Sequence, residues 1–278
     1  MRLASSVAVL AVLTFSLAGC PTLTEDPPAP YDASPLGTGL RIADVQNPTS
    51  TYFQQAIAAA QAAIKNGGEN NGVNVTVSSA VVSWIDTFDE THDGKSIGAV
   101  YVQDIGSTAP YSGSNLYEPS YVPASIRLLP GDVVDLTGPY EEQASVGSAT
   151  FTAPATLPSF SKPVATFDYE FTPPTPVIIQ LSDIDETNYA TGRKWEGMLV
   201  TLNDITIGPG VNDNDRVTYI MGQGDASVDA NAAAISNELY DLGSTDYPTG
   251  THFASVTGIV TWFYSYQIAP RTAADLQQ

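Results

Sequence analysis

Alternating apolar and polar positions run through most of the chain from residue 73 onward. Val73 to Ile85 alternates Val and Ala with Asn, Thr and Ser, and Ile97 to Gln103 repeats the pattern. Asp132 to Thr137 follows, between the turn dipeptides Pro130-Gly131 and Gly138-Pro139. Such period-two stretches predict half-buried strands. Trp195 to Ile207, Val217 to Met221, His252 to Trp262 and Tyr264 to Ala269 carry the same signal in the second half. Ahead of the strands a different period appears. Phe53, Ile57, Ala60 and Ile64 fall on one face of a helix over 50–66, with Thr49 or Ser50 as its N-cap and Gly67-Gly68 at its end. Leu40 to Val45 reads as a short strand or lead-in.

A proline-rich stretch from Ala153 to Pro176, with a strand piece at Val164 to Phe171, predicts a crossing between two domains at 40–176 and 177–278. A weak repeat joins the halves: Leu136-Thr137-Gly138 matches Val256-Thr257-Gly258 at an offset of 120, which also lays Val77 to Val82 near Gly197 to Leu202. The expected fold class is all-β, two tandem small barrels with one short N-terminal helix.

Composition narrows the function classes. Of 278 residues 43% are hydrophobic and only 14% charged, so the chain can bury a core. Its net charge of −20, from 10 Lys and Arg against 30 Asp and Glu, argues against a polyphosphate ligand. One Cys cannot close an internal disulfide, and two His leave no Cys/His zinc cluster.

The Cys has another explanation. Met1-Arg2 is a positive start, Val7 to Leu17 an apolar run too short to span a bilayer, and Leu17-Ala18-Gly19-Cys20 follows at once. This resembles a bacterial lipoprotein signal, which implies a removed segment at 1–19 and acyl chains, palmitate among them, on Cys20. Several acyl chains on one residue give stable anchoring. Residues 20–39 then form a Pro/Thr-rich spacer. The implied location is the cell envelope, lipid-anchored, at the outer membrane facing outward. Cleavage before Cys20 removes Arg2 and no acid, so the processed chain is still more acidic and is repelled by an anionic surface.

Three stretches together carry a family resemblance: Val81-Val82; Ala99-Val100-Tyr101-Val102-Gln103-Asp104; and Leu129-Pro130-Gly131-Asp132-Val133-Val134-Asp135-Leu136-Thr137-Gly138. They resemble the bacterial OB-fold domains that precede the catalytic domain of secreted endonuclease/exonuclease/phosphatase-type nucleases and that also occur in cell-surface lipoproteins. Trp195 to Val200 and Gly258 to Arg271 resemble a second such unit. The resemblance implies two OB barrels. No segment after Ile207 carries the acidic and His constellation of a metal-dependent phosphodiesterase, so a binding or scaffolding role without catalysis is expected.

Two groups of residues are candidates for binding. Asp86, Asp89, Glu90 and Asp93 lie in the loop after the first strand, and Asn212, Asp213, Asn214 and Asp215 in the corresponding loop of the second unit. Hard oxygen ligands clustered in turns suit Ca²⁺, although Asp and Asn are equally what hairpin turns prefer. Tyr101, Tyr111, Tyr117 and Tyr121 form a candidate stacking platform. Between Lys95 and Lys162 only Arg127 is basic, which favours a protein or glycan partner over nucleic acid. Trp84, Trp195, Trp262 and Phe263 are expected in the core or between units. A nucleic-acid-binding accessory is the second reading and a hydrolase the third, since neither His92 nor His252 sits in a nucleophile motif.

Overall fold

In the computed structural model, residues 39–92, 94, 98–117, 128–142, 157–224, 227–228, 232–242 and 247–278 are described. Cys20, Asp93 and Tyr121 lie outside them. Strand β1 (Val73–Ile85) is long enough to pair twice, antiparallel to β4 (Asp132–Glu141) through its first half and to β2 (Val100–Asp104) through its second. A bulge makes the change of partner possible: Ser79 takes φ +60 and donates its N–H to Asp135 Oδ1 at 2.9 Å. With β3 (Gly113–Tyr117) and β5 (Ser159–Ser161) the ring closes in the order β1-β2-β3-β5-β4-β1, with only β3 and β5 parallel. Strand β6 (Val164–Glu170) extends it beyond β4.

The second half builds the same ring. Strands β8 (Leu199–Asp213), β9 (Arg216–Gln223), β10 (Ala234–Ser236), β12 (Tyr266–Ala269) and β11 (His252–Trp262) close in that order, again with one parallel pair, β10 and β12. Strands β7 (Val177–Ile178) and β13 (Leu276–Gln277) flank it. The fold is thus all-β, two OB-like barrels in tandem, and Leu36–Gln278 forms one compact unit. Each barrel has its own apolar centre, Val77, Val102, Val134, Leu136 and Phe160 in the first and Val200, Ile205, Tyr219, Val256 and Ile268 in the second. The repeat is real in the strand register. Thr76 faces Thr137 with hydroxyls 3.1 Å apart, and Thr201 faces Thr257 at 2.7 Å. Thr76 therefore corresponds to Thr201 and not to Glu196, the residue an offset of 120 picks out.

Several local expectations change. Leu40 only bridges Val77, and Ile42–Gln46 is a helix, α1, not a strand. The buried carboxylate of Asp104, at the end of β2, takes the Ile42 and Ala43 N–H groups at 2.8 and 3.0 Å and so satisfies its first turn. Helix α2 (Thr51–Asn66) starts on Ser50, whose Oγ accepts from Tyr52 N, and ends on left-handed Gly67. Its buried stripe is Phe53, Ala56, Ile57 and Ala60; Ile64 is exposed because the last turns overhang the barrel. Strand β4 passes through Gly138-Pro139 instead of ending there, since Gly138 clears Pro163, whose Cα would lie 2.8 Å from a Cβ. Trp195 sits in a turn before β8, and Tyr264 in a turn before β12. Much of the proline-rich crossing belongs to the first barrel, where β5 closes the ring.

Candidate functional site

Side chains of β2, β3 and β5 alternate between the first barrel's core and its outer face. Val102, Leu116 and Phe160 point inward; Tyr101, Asn115 and Ser159, aligned in register across the three strands, point outward with Gln103, Gly113 and Tyr117. This is the face on which OB barrels bind ligands. One end of it is covered by the second barrel. Gln103 Oε1 accepts from Leu199 N at 3.2 Å, Tyr111 N donates to Lys194 O at 2.7 Å, and a Cβ on Gly113 would lie 2.4 Å from the Gly197 and Met198 backbone. Ala99, Tyr101, Leu199, Leu239, Ile259 and Ala269 fill the seam beside it.

The other end opens into a cleft of about 360 Å³ between the barrels. Tyr101, Asn115, Tyr117 and Ser159 line it from the outer face, and Asp86 and Glu90 from the loop after β1. The second barrel contributes Arg216, Glu238, Trp262 and Phe263. Asp86 is 2% exposed, and its carboxyl is pushed up to about 7 by burial, with Glu238 and Glu90 adding to the effect. Glu90 is buried and paired with Arg216 at 3.0 Å; burial pushes its pKa above the usual carboxylate range while Arg216 opposes. The Tyr101 hydroxyl donates to Glu238 Oε1 at 2.6 Å and is held well above the usual phenol range by burial and by that carboxylate. Arg216 also lies 4.4 Å over the Phe263 ring. Asn115 is 7% exposed, and its Oδ1 is buried without a hydrogen-bond partner. A buried acceptor left unpaired costs about 1–3 kcal/mol, and among the described residues none donates to this one.

A second charged cluster ties the barrels together near the covered end of this face. Arg193, fully buried, donates to Gln46 Oε1 (2.7 Å), to Tyr140 Oη (3.1 Å) and to Glu142 Oε1 (2.5 Å), and its Nε is 3.2 Å from Glu196 Oε2. Burial, then Glu142, pushes the Glu196 carboxyl up to about 8 against the pull of Arg193. Asp104 is likewise raised, to about 6, by burial against its two amide donors.

These shifts predict the pH dependence of stability. Asp86, Asp104 and Glu196 all hold protons more tightly folded than unfolded, where a carboxyl titrates near about 4. Their stabilisation is complete below that value and is lost as pH rises through about 6, 7 and 8. Self-repulsion of an acidic chain acts in the same direction. The melting temperature should be higher at about pH 5 than at about pH 8.5, by about 5 °C or more. A melting temperature that stays level or climbs over that range would refute the assignment.

The sequence-predicted Ca²⁺ residues part company here. The two loops do adjoin, with His92 Nδ1 3.9 Å from Asp215 Oδ2 and Glu90 on Arg216. Asp86, however, turns into the cleft, Asp89 caps Gly94 N at 2.7 Å, and Asp213 accepts from Asn214 Nδ2. Among the described residues no group of three or more His, Cys, Asp or Glu is placed to hold a metal ion. Of the tyrosines, Tyr101 and Tyr117 share the cleft, while Tyr111 sits at the covered end near Arg193. Trp84 and Trp262 pack at the seam and in the second core, with Arg271 5.6 Å from the Trp84 ring. Phe263, expected in the core or between units, is 43% exposed and lines the cleft between the barrels, with Arg216 over its ring. The residues that sequence reasoning missed are Asn115, Arg216 and Glu238. Asn within a strand is disfavoured and marks a site only once the strand is known; Arg216 and Glu238 carry no local signal. No protein-family model matches this chain, and no curated protein matches it.

Proposed function

We propose that the chain is a lipid-anchored binding module of the cell envelope, outward-facing and non-catalytic, that holds its ligand in the cleft between the barrels. The observation that carries this reading is the outer face of β2, β3 and β5. One end of it docks the second barrel, and the other opens into a cleft with an unpaired buried acceptor at Asn115. The lipoprotein-like Met1–Cys20 segment supports the tether, and the acidic surface supports the outward orientation. A nucleic-acid accessory role is disfavoured by the same wall, where three carboxylates, Asp86, Glu90 and Glu238, stand against the single guanidinium of Arg216.

Two measurements test it. Labelled palmitate should enter wild-type protein and not a Cys20→Ala variant; equal labelling removes the anchor. The purified chain should pass through a single-stranded DNA column even at low salt, and retention there that salt relieves would put the nucleic-acid reading in its place.

A further inference from the structure

We propose that the cleft is a site for an organic cation, an ammonium or guanidinium group, held by the Asn115 amide oxygen and the surrounding carboxylates and flanked by Tyr117 and Phe263. The inference rests on the cleft being the binding site and adds the class of ligand. Its first support is the polarity of the spare hydrogen-bonding capacity. Asn115 Oδ1 is an unpaired acceptor, and Asp86 and Glu238 present carboxylates. The one guanidinium of the wall is already engaged, by Glu90 at 3.0 Å and by the Phe263 ring at 4.4 Å. A ligand rich in donors complements these acceptors, and an alkylammonium or a guanidinium presents donors alone.

Charge leads to the same class. Three carboxylates and one arginine leave the cleft negative in a partly water-excluded place, where a charge is felt more strongly than in bulk water. Asp86 faces Glu90 from its own loop, Glu238 and Arg216 from the second barrel, and the Tyr101 hydroxyl from β2. An incoming cation supplies the positive charge this group lacks. The aromatic walls suit an organic ion, since Tyr117 and Phe263, each about half exposed, offer ring faces to a cation. An inorganic ion fits less well, because among the described residues no three acids converge closely enough to hold one.

Binding is then coupled to Asp86. Below about pH 7 its carboxyl holds a proton that the cation must displace, so affinity should fall about tenfold for each further unit of pH. Above that value it should level off.

The test is calorimetric titration of the full chain in detergent with agmatine, with a tripeptide carrying Lys or Arg, with a neutral oligosaccharide and with CaCl₂. Agmatine or the tripeptide should bind with proton release near pH 6, and the comparison of the two separates a free amine from a partner's side chain. Asn115→Leu and Glu238→Gln should each weaken binding at least about tenfold, as the loss of a charge-assisted contact does. Tyr117→Ala, at an exposed position, covers the case in which those variants do not fold and should weaken binding several-fold. If the oligosaccharide binds in an Asn115-dependent way and the cations do not, the ligand class is wrong and the cleft remains the site. If cations bind wild type and all three variants alike, the inference falls as non-specific attraction. If no probe binds, both readings fall together.

Discussion

Replacing Arg193 with Met should destabilise the protein by about 3–5 kcal/mol, the cost of stranding a buried partner charge. The guanidinium is fully buried and touches Gln46 on α1, Tyr140 on β4, Glu142 just beyond it, and Glu196 in the turn before β8. Its loss leaves Glu142 inside the fold with the Tyr140 hydroxyl beside it and, among the described residues, no cation paired with it. Because those groups come from both barrels, the variant should also loosen the coupling between them. Denaturant unfolding is expected to shift to a lower midpoint and to separate into two steps. Adding Glu142→Gln to the variant should recover part of the loss, since a neutral group costs less to bury than an unpaired carboxylate. A loss below about 1 kcal/mol for the single variant would show that the cluster is not the link between barrels.

Gly113→Ala is the second large effect. A Cβ there would stand 2.4 Å from Gly197 C and from Met198 N, and both are backbone atoms that cannot rotate away. The approach is reciprocal: Gly197, at φ +73, would meet Ser114 N at 2.5 Å. The barrels must separate locally, which overpacking data place at about 1–3 kcal/mol or more. The Gly113 carbonyl also accepts from Gln46 Nε2 at 2.6 Å, so the shift pulls on the Arg193 cluster as well. Since Gly113 is two residues from Asn115 on the same face, the variant should weaken ligand binding along with stability. Unchanged melting and unchanged binding would refute the close approach as a determinant of the cleft.

Much of the architecture was legible because its signals are local. The alternation of Val73 to Ile85 and His252 to Trp262 marks β1 and β11 from end to end. Gly131 at φ +102, with Asp132 Oδ2 taking Leu129 N, is the turn that Pro130-Gly131-Asp132 announces. Strands β3, β5 and β10 escaped because three to five residues cannot display a period. Helix α1 escaped because the carboxylate that accepts its first N–H groups is Asp104, far along the chain. Tyr101 and Asp86 were singled out as members of two separate groups, and the fold brings them together on the first barrel's side of one cleft.

By itself, then, the sequence determined the β class, the two successive barrels and the acidic character that disfavours polyanions, since period, turn chemistry and charge are properties of neighbouring or summed residues. Only the tertiary structure decided which polar groups meet. The cleft and the Arg193 cluster are both assembled from residues far apart in the chain, and burial between two barrels is what gives Asp86 its shifted acidity and Asn115 its unpaired oxygen. Desolvation depends on everything packed around a group, and no window along a sequence contains that.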